Sequence, residues 1–136
     1  MEKITLQNRK GQNIVGILEK PENGTTAGTV VIEHGYGGFK EQKHILAMRD
    51  AFLENGFITF NFDAANTFGE SDGDFEKAKL GLHTEDFEDV TEWAQEQDWF
   101  TGPLAVTGHS MGGGMHVHGT RKHFRRKSPF VSLSLR

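Results

Sequence analysis

The chain has 136 residues, of which 35% are apolar and 17 are glycine, so we expect one domain with a modest core. It contains no cysteine, which excludes a disulfide framework, a thiolate metal site and a cysteine nucleophile. The first 20 residues are polar and charged, and no run reaches the ~18 apolar residues of a membrane span. We therefore predict a cytoplasmic protein with no secretory signal and no membrane contact.

The net charge of −4 conceals an asymmetry along the chain. All 19 acidic residues lie at or before Asp98, whereas six of the 15 lysines and arginines lie in residues 115–136. A basic end of this kind can be an interaction tail, but it holds neither a nucleic-acid recognition motif nor interleaved aromatic residues. We expect no nucleic-acid partner, and we treat residues 1–114 and 115–136 as separate parts.

The first half of the chain alternates strand and helix patterns. Residues 4–6 and 14–18 are typical of two strands of a hairpin, and the continuous apolar run at residues 29–32 is typical of a buried parallel strand. Apolar residues at helical spacing predict a helix over residues 40–55, which ends at the Asn55-Gly56 stop signal.

The second half continues the same alternation. A strand is predicted at Phe57–Phe62, then a polar loop at residues 63–75, a helix capped by Thr84, and a buried strand at residues 104–107. Alternating strands and helices require right-handed crossovers. The predicted fold class is therefore α/β, with a mostly parallel sheet of about five strands, flanking helices and an antiparallel edge.

A serine motif follows directly on the last of these strands. Gly108-His109-Ser110-Met111-Gly112 is a G-x-S-x-G sequence, the strand-to-helix turn that exposes a nucleophilic serine. A glycine-rich turn with an incidental serine is the alternative, and the position after an apolar strand favours the nucleophile. The backbone N–H of Met111 is a predicted oxyanion-hole donor, and His109 is expected to pack or to form a hydrogen bond.

A second glycine-rich loop follows the strand at residues 29–32. Its sequence is His34-Gly35-Tyr36-Gly37-Gly38, where the glycines allow a close approach of the backbone to a substrate. We predict that Tyr36 supplies the second oxyanion N–H. A phosphate-binding loop is the alternative, and it is less favoured because neither G-x-G-x-x-G nor a Gly-Lys-Ser/Thr ending is present.

Residues 29–38, 61–73 and 106–113 resemble the α/β-hydrolase superfamily, and most of all its feruloyl-esterase-like and serine-aminopeptidase-like groups. The middle segment keeps the frame of the D-x-R-G-x-G-x-S loop of that superfamily, although residues 65–68 depart from it. The resemblance covers residues 1 to about 114 and implies the N-terminal half of an α/β-hydrolase fold. It also implies that His34 shapes the first loop.

The resemblance implies hydrolysis of an ester or activated amide through an acyl-enzyme on Ser110, with a small-molecule ester or acyl substrate and no cofactor or metal. It also implies a later acid and histidine, to which no residue of this sequence corresponds. We interpret the chain as a truncated serine hydrolase with low or no activity. The alternative is a non-catalytic binding module that retains the pocket.

Three histidines follow the serine motif and are candidates for the general base or for a metal site. They are His116, His118 and His123. A helix after Ser110 would place His116 and His118 roughly 9–12 Å along it, with side chains pointing sideways. Without a nearby carboxylate or cysteine, a metal site is also disfavoured.

The end of the chain has two interpretations. Residues 111–124 can form the helix after the elbow, with Phe130–Leu135 as a sixth strand. Alternatively, residues 120–136 are out-of-frame sequence, which their composition slightly favours. In the second case the strand at residues 104–107 lies at an open edge, and we expect self-association through it.

Overall fold

The computed structural model describes residues 1–24 and 26–109, together with the backbone of residues 130–135. Strands and helices alternate along the chain, and a short 3-10 helix lies at Phe75–Lys77. The strands are β1 (Glu2–Gln7), β2 (Asn13–Glu19), β3 (Gly28–Glu33), β4 (Phe57–Phe62), β5 (Leu104–His109) and β6 (Phe130–Leu135), and the helices are α1 (Lys43–Glu54) and α2 (Leu80–Gln95).

The strands form one six-stranded sheet in the order β1-β2-β4-β3-β5-β6. The hairpin strand β2 is antiparallel to both β1 and β4, and the remaining neighbours are parallel. The predicted mixed sheet with an antiparallel edge is confirmed. The sheet has one strand more than the expected five because β6 pairs with β5, from Leu104 opposite Phe130 to His109 opposite Leu135.

The pairing of β6 matches the first interpretation of the end of the chain. It makes β5 an interior strand, so that β1 and β6 are the edges of the described sheet. The predicted boundary at residue 114 and the helix at residues 111–124 lie outside the described residues. Self-association through a sheet edge stays a prediction, and it would have to use β1 or β6.

The central strand β3 explains why the sheet has a core on both faces. All six of its residues are buried. Val31 packs into the cluster on the α2 face, while Val30 and Ile32 pack with Ile45 and Met48 of α1 on the other face. A strand buried on both sides needs the continuous apolar run seen in the sequence, and it fixes the edge at which the neighbouring loops begin.

The two helices differ in how closely they follow the sequence patterns. Helix α1 lies within the predicted range and ends before Gly56, whose φ of +85° suits glycine. Helix α2 begins at Leu80, so the predicted cap at Thr84 is wrong: the Thr84 hydroxyl donates instead to the Leu80 carbonyl at 3.2 Å. Gly81 weakens the helical pattern of this first turn, which hides the start of α2 from the sequence.

In the part of the chain that the structure describes, no helix combines the length and the apolar character that crossing a membrane requires. The cytoplasmic location stays a prediction.

Two glycines give a matched test of the packing between β2 and β4. A Cβ added at Gly16 would lie 2.2 Å from Cζ of Phe60, whereas one added at Gly81 would meet nothing within 4 Å. We expect Gly16→Ala to lower the free energy of unfolding by about 1–3 kcal/mol through overpacking. Gly81→Ala should leave it unchanged or raise it by up to about 1 kcal/mol. Urea unfolding of both variants measures this, and equal effects would contradict the packing described.

Candidate active site

The loops that carry the predicted site begin side by side at the carboxyl ends of β3 and β5. The register of these strands places Glu33 opposite Gly108, so the loop at residues 34–38 begins beside the point where β5 leads to Ser110. Gly108 and His109 end β5, whereas Ser110, Met111 and Gly112 lie outside the described residues. The structure therefore brings the start of the elbow motif next to the glycine-rich loop.

His34 fastens this loop to the one that follows β4. Its ring is fully buried, with Nδ1 2.7 Å from the Gly35 carbonyl oxygen, and its Nε2 accepts the Ala64 N–H at 3.0 Å. These partners assign the proton to Nδ1. Burial lowers the pKa of His34, so the ring is neutral near pH 7. Because both nitrogens are occupied, His34 has no free atom with which to act as a general base.

The glycine loop presents backbone donors. The Gly38 N–H donates to the Gly35 carbonyl at 2.9 Å and closes a tight turn, with Gly37 at a φ of +70°. Within the described residues, no acceptor takes the N–H groups of Gly35, Tyr36 or Gly37. Consecutive N–H groups of a loop can together face a negative charge.

A buried ion pair holds the end of the loop. Lys40 is 2% exposed and Asp63 is fully buried, and Nζ of Lys40 lies 2.8 Å from Oδ2 of Asp63. The same Nζ lies 2.7 Å from Oε2 of Glu70. The Asp63 carboxylate also accepts the N–H of Lys40 at 2.6 Å and the N–H of Glu70 at 2.8 Å. The loop after β3 and the loop after β4 are thereby joined.

Hydrogen bonds determine which groups of this Lys40–Asp63–Glu70 network are charged. Bonds from Lys3 and Lys40 lower the pKa of Glu70 to about 2. Burial alone would lower the pKa of Lys40, but its bonds to Asp63 and Glu70 outweigh burial and raise it. Lys40 and Glu70 therefore stay charged near neutral pH.

Asp63, Gly69 and Ser71, in the segment at residues 61–73 that resembles the superfamily loop, have structural roles. The Ser71 hydroxyl donates to the Asp63 carbonyl at 2.6 Å and accepts the Val15 N–H at 2.8 Å, which ties the loop to β2. A Cβ at Gly69 would lie 2.1 Å from Cγ of Asp63, so the carboxylate occupies the space that a side chain there would need. Sequence reasoning found this frame but missed Lys40, which supplies the cation.

A buried carboxyl group lies beneath the site. Glu33 is fully buried, and burial together with the nearby Asp86 raises its pKa well above the usual value. Asp86 accepts hydrogen bonds from Asn8 Nδ2 and from the Ala65 N–H, both at 2.8 Å. Burial raises the pKa of Asp86 as well. Burial thus favours the neutral form of both carboxyl groups relative to side chains in water.

Two more histidines lie close to the site. His109 packs against His44 of α1, with ring centroids 4.2 Å apart, and burial followed by the neighbouring His109 lowers the pKa of His44. His83 of α2 is fully buried beside His34, and burial lowers its pKa to about 4. Sequence reasoning missed His83 because one histidine in a helical pattern carries no distinctive signal. Among the described residues, no three metal-ligating side chains come together.

Comparison with known proteins connects this geometry to a family. Residues 13–128 match the model of the X-Pro dipeptidyl-peptidase (S15) family. The chain belongs to this family. An uncharacterised 31.7 kDa protein from the traX-finO intergenic region of Escherichia coli is 31% identical to it over 131 residues. That alignment covers 96% of the S15 chain and 44% of the relative, so the chain spans less than half the length of this curated relative.

Solved structures confirm the predicted α/β-hydrolase fold. Est1E from Butyrivibrio proteoclasticus, solved with ferulic acid bound, is 27% identical with a TM-score of 0.79. The match covers 86% of the S15 chain and 46% of Est1E. An alpha-beta serine hydrolase homologue from Coxiella burnetii is 18% identical with a TM-score of 0.75, over 98% of the chain and 73% of the homologue. At that identity, the second likeness shows the fold alone.

A double-mutant cycle tests the clamp formed by Lys40 and Asp63. Lys40→Met leaves the buried Asp63 carboxylate without its cation and should lower the free energy of unfolding by about 3–5 kcal/mol. Asp63→Asn leaves Lys40 its bond to Glu70 and should lower it by less, about 1–3 kcal/mol. The double variant should lose less stability than the sum of the two single losses. The difference, the coupling free energy, should be about 1–3 kcal/mol. Urea unfolding gives all three values.

The control for this cycle is Lys77→Met, because Lys77 is exposed and lies 3.9 Å from Asp74. Its effect should stay within about 1 kcal/mol. If both single variants fail to fold while the double variant folds, the coupling is also demonstrated. Additive losses would show that the two side chains act independently.

Proposed function

We propose that this S15 chain supplies the nucleophile and oxyanion hole of a serine hydrolase that acts on esters or activated amides. Ser110 would attack the substrate carbonyl and form an acyl-enzyme. The observation that carries the proposal is the row of backbone N–H groups at Gly35, Tyr36 and Gly37 with no acceptor among the described residues. This row begins beside the end of β5, which leads into the elbow motif.

The chemistry needs these donors at the moment when negative charge develops. As Ser110 Oγ bonds to the carbonyl carbon, the carbonyl oxygen becomes an oxyanion, and the N–H groups of Tyr36 and Met111 would stabilise it. Donors fixed before the reaction need no reorganisation. The bonds of His34 and the Lys40–Asp63 clamp hold the Tyr36 loop at both ends. Acyl transfer to serine requires no cofactor.

The substrate in this proposal is a small-molecule ester or acyl compound. The likeness to Est1E, which was solved with ferulic acid, supports an organic acyl group. Within the hydrolase fold, we propose ester hydrolysis as the reaction.

We assign neither the general base nor its acid to a residue of this chain. Both nitrogens of His34 are occupied, and His83 is fully buried. Without a base, a serine hydrolase retains roughly 10³-fold catalysis over water from its oxyanion hole and from binding. The chain by itself should therefore react slowly.

Labelling with a fluorophosphonate probe tests the nucleophile. We expect slow labelling of the chain that Ser110→Ala abolishes and that Ser128→Ala, a control at another serine, leaves unchanged. Turnover of p-nitrophenyl acetate should be negligible. Mass spectrometry of the labelled peptide locates the adduct.

Other outcomes of this experiment are equally informative. Labelling that persists in Ser110→Ala would overturn the proposed nucleophile. Rapid stoichiometric labelling would show that a residue of the chain supplies the base, and His116, His118 and His123 would be mutated first. Binding of an ester without any labelling would favour the non-catalytic binding module.

The oxyanion loop has its own test. Tyr36→Phe keeps the backbone N–H, so the labelling rate should stay within about twofold of the parent chain. Gly37→Val places a β-branched residue at a φ of +70°, where glycine alone is comfortable. Displacing one donor in this way should slow labelling about 10²-fold. The reverse order would assign the role to the phenol hydroxyl of Tyr36.

A further inference from the structure

An asparagine is followed directly by a glycine at two places in the chain, Asn23-Gly24 and Asn55-Gly56. Such a pair is chemically unstable, because the backbone nitrogen of the glycine can attack the amide carbon of the asparagine side chain. Glycine has no Cβ to hinder this attack, and its backbone rotates freely. Since the two pairs share the same chemistry, the structure around each pair decides how readily it reacts.

The first pair lies on an exposed turn at residues 21–24, between β2 and β3. Asn23 and Gly24 are both exposed, and a Cβ added at Gly24 would meet nothing within 4 Å. The Gly24 N–H donates to the Pro21 carbonyl at 3.5 Å, which is longer than the about 2.7–3.2 Å of an ordinary hydrogen bond. The attacking nitrogen of this pair is therefore held only weakly by its own backbone bond.

The second pair ends helix α1 and is held on several sides. The side-chain amide of Asn55 donates to the Ala51 carbonyl at 2.8 Å. The Gly56 N–H donates to the Leu53 carbonyl at 3.0 Å, and the Gly56 carbonyl accepts the Ala27 N–H at 2.7 Å. An attack would require the first two bonds to open, while the third restrains Gly56. The fold thus protects this pair.

We propose that Asn23 is a site of spontaneous deamidation, which converts it to a mixture of isoaspartate and aspartate. The Gly24 nitrogen loses its proton to water and bonds to Cγ of Asn23. The bond from Cγ to Nδ2 then breaks, and ammonia leaves a five-membered succinimide ring. Water opens this ring at either of its two carbonyl carbons. Opening at Cγ gives aspartate, and opening at the main-chain carbonyl gives isoaspartate. The net reaction exchanges the amide for a carboxylate and consumes one water.

The conversion would change an acidic surface of the protein. Asn23 borders a surface cavity whose lining includes four acidic residues, Glu19, Glu22, Asp50 and Glu54. A new carboxylate there adds one negative charge to a net charge of −4. Isoaspartate also lengthens the main chain of the turn by one carbon atom.

The modified turn lies far along β3 from the proposed reacting loop. The turn precedes the amino end of β3 at Gly28, whereas the loop of Tyr36 follows the carboxyl end at Glu33, and all six residues of the strand are buried. Labelling of Ser110 by the fluorophosphonate probe should therefore be the same in fresh and in aged protein. A failed deamidation site and a failed nucleophile are distinguishable for this reason.

Peptide mapping by mass spectrometry tests the proposal on the full chain. The protein is aged near neutral pH in water enriched in oxygen-18 and is sampled over several days. Asn23 should convert about 10–100-fold faster than Asn55, because the second pair has to open two ordinary hydrogen bonds. Each converted residue should carry one heavy oxygen, and chromatography should separate an isoaspartate peptide from the aspartate peptide.

Unfolding in guanidinium chloride is the matched control, because it removes the structural difference and keeps both sequences. The two pairs should then convert at similar rates. In the folded chain, Asn23→Gln should abolish the conversion at position 23, since its ring would need one more atom. Asn55→Gln should leave the conversion of Asn23 unchanged.

Equal rates at the two pairs in the folded chain would overturn the proposal. So would an Asn23 that stays intact in the folded chain while both pairs convert in guanidinium chloride. Formation of aspartate without isoaspartate would overturn it as well, because water would then have attacked the amide directly.

Discussion

The buried carboxylate of Asp63 is the group on which the loops of this site depend. A carboxylate removed from water is strongly destabilising unless charges and hydrogen bonds compensate it. Here the compensation comes from the Lys40 ammonium and from the N–H groups of Lys40 and Glu70. Since these donors belong to two different loops, the loops are fixed relative to each other. The position of the turn at Tyr36 thus depends on the need to compensate the buried charge of Asp63, which lies in the other loop.

The sequence predicts those parts of this arrangement whose signals lie in neighbouring residues, and it misses those that depend on residues far apart in the chain. The all-buried strand β3 and the glycine stop after α1 have local signals, and both were predicted correctly. The ion pair joins residues 23 positions apart, and Lys40 was read as the start of a helix, since nothing in its neighbourhood marks a buried lysine. The start of α2 was misplaced because Gly81 weakens the local helical pattern, so that Thr84 offers the first capping signal.

Several departures from good local packing lie in the loops that follow β3 and β4 and in α2 beside them. The N–H groups without acceptors, the unpartnered ring of His83 and the exposed ring of Phe68 all lie there, while the described core beneath is apolar and buried on both faces. Sequences generally agree with their fold at every level except where function requires otherwise.

Ester and amide substrates place different demands on an active site. The family is named for a peptidase, but fold and family do not fix the reaction. An amine leaves only when a general acid protonates it, whereas the alcohol of an ester, and a phenol above all, leaves more readily without that help. The proposed nucleophile and oxyanion donors therefore meet the demands of an activated ester more fully than those of a peptide. That asymmetry is why we place esters first among the proposed substrates.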